Sequence, residues 1–148
     1  PASGSDFHGV QYNDKKMEKG TGELMLMKNF PYFINGESSP EQVRDYFKSI
    51  SKNEKVKKPQ FHAVISAKYQ NHGKEEITEI AKDFMQEMGY GKQPFIVVYH
   101  SDTENNHVHI VSTRVDKQTG KKISDSYERL KAQKALSDLL TQPTGTPA

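Results

Sequence analysis

Three histidines, His100, His107 and His109, fall within ten residues of a chain that has six in all. Imidazoles grouped this way can hold a divalent cation, and the flanking residues indicate how they are arranged. Phe95 to Tyr99 is β-branched and aromatic and predicts a strand ending near His100. His107 to Thr113 alternates and is rich in Val and Ile, so it predicts a second strand. Ser101 to Asn106, between them, has the Ser, Asp and Asn content of a loop. If that loop closes a hairpin, His100 and His107 face each other at its neck. His107 and His109, two apart on a strand, point to the same face. Three imidazoles then converge with coordination positions left open, which is the layout of a catalytic metal site. A lone pair of histidines spaced by one residue also occurs on strands without any metal. The third histidine favours an ion, as do Asp102 and Glu104 in the loop, because metal-bound imidazoles need carboxylate or carbonyl partners. The chain has no cysteine, so a closed structural zinc site would need a carboxylate as its fourth ligand.

Neutral imidazoles on one divalent ion with open positions make a Lewis acid able to polarise a carbonyl or a phosphodiester. A metal-bound water would make the protein a hydrolase. A side-chain nucleophile would make it a transferase working through a covalent intermediate. Among the seven tyrosines, Tyr12 stands out. It lies in Ser5-Asp-Phe-His-Gly-Val-Gln-Tyr-Asn-Asp, where Phe7 and Val10 can anchor the segment on a core. On spacing alone Tyr12 reads as an ordinary amphipathic tyrosine rather than a nucleophile.

The elements that must position these residues fit one domain. At 148 residues the chain can bury a single core unaided. With 33% hydrophobic residues and a mean hydropathy of −0.86, its surface must be very polar. No run of residues has the length and apolarity of a membrane span, and no signal-peptide pattern opens the sequence. The net charge is +2, unevenly spread. Lys52, Lys55, Lys57 and Lys58 form one cluster, Lys117, Lys121 and Lys122 a second, and Arg129, Lys131 and Lys134 a third. They suit a phosphate-backbone partner and equally the solvated faces of a soluble protein.

Ser39-Pro-Glu-Gln predicts a helix start, with a Ser cap, Pro at the first helical position and Gln42 completing a capping box. Gln60 to Ser66 reads as a strand. Lys74 to Met88 reads as a helix with Ile77, Ile80, Ala81, Phe84, Met85 and Met88 in one stripe, ended by Gly89-Tyr-Gly91. Asp116 to Gly120 reads as a turn into a short strand at Lys121 to Ile123. Ser126 to Leu140 reads as a last helix, with Leu130, Ala135, Leu136, Leu139 and Leu140 on or near its buried face. Asp14 to Met27 is compatible with a helix weakened by Gly20 and Gly22. The order strand, helix, strand, strand, helix predicts an α+β domain with an antiparallel sheet. We assign residues 1–140 to this domain and 141–148 to a linker or frayed tail of a longer protein. The beginning is expected to lack an edge strand.

Three separated motifs resemble those of the relaxases, the mobilisation nucleases of bacterial plasmids and conjugative elements, and in particular the class typified by broad-host-range conjugative plasmids. The first is Ser5-Asp-Phe, four residues, then Tyr12. The second is Phe61-His-Ala-Val-Ile-Ser66, with its helix ending Met88-Gly-Tyr-Gly91. The third and most specific is His100-x-Asp-Thr-x-Asn-x-His-Val-His109, followed by Ile-Val-Ser-Thr-Arg114. Ser124-Asp-Ser-Tyr-Glu-Arg-Leu extends the likeness.

The resemblance implies a central antiparallel sheet of about five strands with helices packed on its faces, the palm-like histidine–hydrophobic–histidine nuclease fold. It implies that Tyr12 attacks a phosphodiester of single-stranded DNA at an origin of transfer, giving a 5′-phosphotyrosyl link and a free 3′-hydroxyl. It makes His100, His107 and His109 the ligands of a divalent ion, Mg2+ or Mn2+ in function, with Zn2+ or Ni2+ expected in a purified sample. Asp102 would support a ligand histidine. His62, Ser66, Glu104, Asn105 and Arg114 are further candidates to support the ligands or touch DNA, and His8 and His72 are read as surface residues. Tyr32 and Tyr69 are candidate stacking platforms for bases. Implied partners are the origin-of-transfer strand, accessory mobilisation proteins and a coupling ATPase of the secretion channel, in the bacterial cytoplasm and without membrane insertion. Two other readings compete: a rolling-circle replication initiator of the same fold, using Tyr127, and a non-catalytic single-stranded DNA-binding module.

Overall fold

A computed structural model of the chain describes residues 2–66, 73–101 and 107–140. Five strands and four helices follow one another as β1 (Ala2–Gly4), α1 (His8–Glu18), β2 (Gly22–Lys28), α2 (Pro40–Ile50), β3 (Gln60–Ser66), α3 (Lys74–Glu87), β4 (Phe95–His100), β5 (His107–Thr113) and α4 (Glu128–Leu140). The strands form one antiparallel sheet in the order β1-β3-β5-β4-β2, four long strands and the three-residue β1 at an edge. This is the α+β architecture expected, with helices on both faces.

Alternation along the central strands divides the core in two. Phe61, Ala63 and Ile65 of β3, Phe95 and Val97 of β4, and Val108 and Ile110 of β5 pack under α3 and α4. Ile96 and Val98 of β4 and Val111 of β5 face the other way, toward Phe7, Val10, Val43 and Phe47 at α1 and α2. β4 is thus apolar on both sides and reads as a continuous hydrophobic run. The α2 capping box forms as expected, Ser39 Oγ accepting the Gln42 N–H and Gln42 reaching back to the Ser39 N–H.

The N-terminal region departs from expectation. Asp14 to Met27 is not one helix: α1 ends at Glu18, Gly20 takes a positive φ of 75°, and β2 begins at Gly22. Leu and Met favour helix in isolation, but pairing with β4 overrides that preference. A register shift between Leu24 and Leu26 lets β2 feed both cores, Leu24 and Met27 to one and Leu26 to the other. The edge strand expected to be lacking from the beginning is present in the chain, as β1. Lys121 to Ile123 is no strand of the sheet; Lys122 makes only an isolated bridge to Val115. The last helix starts at Glu128 rather than Ser126, and Leu130 is 63% exposed rather than buried. The residues assigned to the tail, 141–148, lie outside those described. No helix among the described residues is long and apolar enough to cross a membrane.

Candidate active site

The β4–β5 hairpin brings its histidines together through register. His100 pairs with His107 across the ladder, and Val98 pairs with His109. His100, His107 and His109 therefore share the α1/α2 side of the sheet. Their rings lie close, His100 stacked on His109 at 3.9 Å between centroids and 5.1 Å from His107. One nitrogen from each lies within 4.8 Å of the others. Two imidazole nitrogens on a single ion stand roughly 3 to 4 Å apart, so a slight inward turn of the rings closes this set around a cation. His100 and His109 are buried and His107 is half-buried, so a dry inner side meets one open to solvent.

β3 contributes a fourth imidazole. His62 Nε2 lies 2.8 Å from His109 Nδ1, one donating to the other, which fixes the plane of the His109 ring. Burial holds the His62 imidazole below its usual pKa, favouring the neutral ring. Ser66 stands opposite His107 in the β3–β5 ladder and is exposed, as is Val64 two residues before it on the same face.

Helix α1 brings Tyr12 to this group. Its start is anchored by Phe7, fully buried and stacked on Phe47 at 5.1 Å despite a left-handed φ of 55°. Such a backbone costs roughly 1–2 kcal/mol in a non-glycine residue and is offset here by burial of the ring. The Tyr12 ring then lies 5.6 Å from that of His109 and 6.0 Å from that of His100, and Tyr12 is 46% exposed. Lys16, one turn on, holds its ammonium 5.6 Å from the centre of the same ring. A phenol open to solvent thus borders a nitrogen cluster able to hold a cation.

Asn13 is the site residue that sequence reasoning did not single out. It is fully buried, and its Oδ1 lies 2.6 Å from His100 Nε2. The available signal was a polar residue at 13 between Val10 and Met17, on the inward side of an otherwise apolar helix face.

The other candidates are placed elsewhere. Asp102, Glu104 and Asn105, with Tyr69 and His72, lie outside the described residues. Arg114 is not brought to the histidines: it sits past the far end of β5, buried under α4, in a two-pronged ion pair with Glu128. Tyr127, beside it at the start of α4, is 77% exposed on the side of the sheet away from the histidines. His8 is at the surface against Asp6, as expected. Tyr32 is 91% exposed, past the β2 end farther from the histidines. Lys52, Lys55, Lys57 and Lys58 and the Lys117, Lys121 and Lys122 group are exposed, in loops flanking the Gln60 end of β3. That is roughly 20 Å along the strand from Ser66. Asn53 joins these loops by donating to the Gly120 carbonyl at 2.8 Å.

A three-histidine group on a central antiparallel sheet, bordered by an exposed tyrosine, defines a candidate metal-assisted nuclease. The family model of the relaxases, described as the MobA/VirD2-like nuclease domain, matches residues 12–145. The chain belongs to this relaxase family, and its nuclease domain spans nearly all of the sequence. Comparisons with curated proteins and with solved structures gave no match.

Proposed function

We propose that this chain nicks and rejoins one DNA strand at an origin of transfer, with Tyr12 as nucleophile. The observation that carries this reading is the position of the Tyr12 ring, 5.6 Å from His109 and 6.0 Å from His100. The Tyr12 phenolic oxygen forms a bond to phosphorus as the bond from phosphorus to the 3′ oxygen breaks. The phenolic proton is lost and the leaving oxygen gains one, leaving a 5′-phosphotyrosyl link and a free 3′-hydroxyl. One ester replaces another, so the reverse attack by a 3′-hydroxyl rejoins the strand. A water nucleophile would forfeit that reversal.

His100, His107 and His109 would hold a divalent ion, Mg2+ or Mn2+ in function, which when bound stabilises charge on the non-bridging phosphate oxygens. His62 orients His109, and Asp102 is proposed to support a ligand histidine. The exposed Val64 and Ser66 border the histidines on the α1/α2 side and offer a shelf for the strand. We assign the activity to residues 1–140, acting in the bacterial cytoplasm on single-stranded DNA with accessory mobilisation proteins and a coupling ATPase.

The test is a denaturing gel of the protein with labelled single-stranded transfer-origin DNA and Mn2+. A covalent band that persists in Tyr127→Phe and vanishes in Tyr12→Phe is expected. Attachment surviving without Tyr12 rejects the assignment, and attachment lost with Tyr127 instead points to the replication-initiator arrangement. Binding without any cleaved product leaves only a DNA-binding module.

A further inference from the structure

We propose that Asn13 is a positioning residue for the metal centre, holding the His100 imidazole in register from the helix that also carries Tyr12. The proposal rests on the metal part of the reading above. Asn13 is fully buried and both ends of its amide are engaged. Its Nδ2 donates to the Gly9 carbonyl at 2.7 Å, one helical turn back, and its Oδ1 lies 2.6 Å from His100 Nε2. The first bond settles the second. An amide oxygen turned toward the Gly9 carbonyl would face another acceptor, so the amine must point there and the oxygen toward His100. His100 Nε2 therefore carries the proton and donates it.

An aliphatic residue would be cheaper at this position. Val10 and Met17 occupy the same inward side of α1 and pack in the adjoining core. Burying an amide there costs free energy unless its bonds are made, and one of them reaches a side chain 87 positions away. The tight bond to a single imidazole nitrogen fixes both the plane of the ring and its tautomer, the two properties a metal requires of a histidine ligand. His62 does the same for His109 from β3, so two of the three imidazoles are held, one from the sheet and one from the nucleophile's own helix. Tyr12 and Asn13 are consecutive. A shift of α1 that misplaces the phenol therefore also disturbs the metal site, and the two halves of the chemistry are assembled by one docking event.

The test reads metal affinity and tautomer rather than nicking. Mn2+ binding is measured by titration calorimetry on the whole chain for wild type, Asn13→Leu and Asn13→Asp. Asn13→Leu is expected to bind roughly 10- to 100-fold more weakly, the usual effect of removing a ligand's supporting bond. Asn13→Asp keeps an acceptor oxygen toward His100 but sets its second oxygen against the Gly9 carbonyl, so it is expected to bind more weakly than wild type and more tightly than Asn13→Leu. Nitrogen-15 NMR of the metal-free protein, at a pH where imidazoles are neutral, should show His100 protonated at Nε2 in wild type and Asn13→Asp. Asn13→Leu should show a tautomer mixture. If Asn13→Leu fails to fold, Asn13→Ser carries the same expectation. Wild-type affinity or an unchanged tautomer in the folded Leu or Ser variant overturns the proposal. A wild-type protein that binds no Mn2+ removes the metal centre and this role with it, and the metal-free spectra tell that failure from the first.

Discussion

The backbone N–H of Gly9 donates to the side-chain oxygen of Gln60 at 2.8 Å, joining α1 to β3 across 51 positions of sequence. The same glycine lets the helix lie close on the sheet. A Cβ at position 9 would stand 3.0 Å from Val111 Cγ2 and 3.1 Å from Gln60 Oε1. Tyr12 and Asn13 follow within a turn, so their distance from the histidines is set here. Gly9→Ala should lower stability by only about 1 kcal/mol, overpacking being partly offset by removal of a helical glycine. Nicking should fall about tenfold or more, because a nucleophile displaced by tenths of an ångström loses alignment. Thermal melts beside a nicking assay check this, and wild-type nicking by Gly9→Ala contradicts the close docking.

Metal binding should register as stability. At about 100 times its dissociation constant, an ion that binds only the folded chain adds roughly 2.7 kcal/mol, a rise of several degrees in melting temperature. Mn2+ should raise the melting temperature of wild type and of His8→Ala, whose histidine is at the surface. It should not raise that of His109→Ala. A chelator should reverse the shift. An equal shift in all three proteins would place the ion elsewhere.

The buried pair Arg114–Glu128, with side chains only 3% and 13% exposed, fastens α4 to the end of β5. Arg114→Met leaves the largely buried Glu128 carboxylate without its partner and should cost roughly 3–5 kcal/mol. Arg114→Met with Glu128→Leu should recover most of that loss. Below their melting temperatures both variants should bind single-stranded DNA like wild type. A loss of binding by the stable double variant would return Arg114 to the DNA interface.

Tyr90, fully buried against Phe61 with its hydroxyl accepting from Arg114, has its pKa pushed up to about 12 by burial. The unfolded chain ionises near the ordinary value of 10.0, so the folded state holds its proton more tightly. The associated stability is complete below about pH 10 and is lost as pH rises toward 12, on the order of 2–3 kcal/mol in all. Denaturant titrations across that window should show the decline. Tyr90→Phe should flatten it, and an identical slope in that variant would assign the effect to other groups.

Local sequence was a good guide where one hairpin carried the information. The β-branched runs on either side of a polar loop are enough to put His100 opposite His107 and to set His109 on the same face. α2 and α3 were legible from a cap and an apolar stripe. β2 was not, because Leu24, Met25, Leu26 and Met27 are helix formers, and only their pairing with β4 makes them a strand. Asn13 and Gln60 were hard to read for a related reason. Each acts on a residue more than fifty positions away, and the polar break that Asn13 makes in an apolar helix face does not name its partner. Arg114 shows the opposite case: its place after a histidine motif made it a candidate to support the ligands or touch DNA, while the fold pairs it with Glu128 on the α3/α4 side of the sheet.

The partition of the sheet into two faces bears on how the protein can change. Tyr12, the clustered histidines and Asn13 occupy the α1/α2 side, while most of the large aromatic and aliphatic packing lies beneath α3 and α4. Stabilising substitutions commonly erode activity when both draw on the same side chains. Here Ala81, Ala132 and Ala135 belong to a layer that touches neither the tyrosine nor the histidines. The domain therefore keeps its bulk packing and its histidine–tyrosine cluster on separate layers, so that a change in one need not disturb the other.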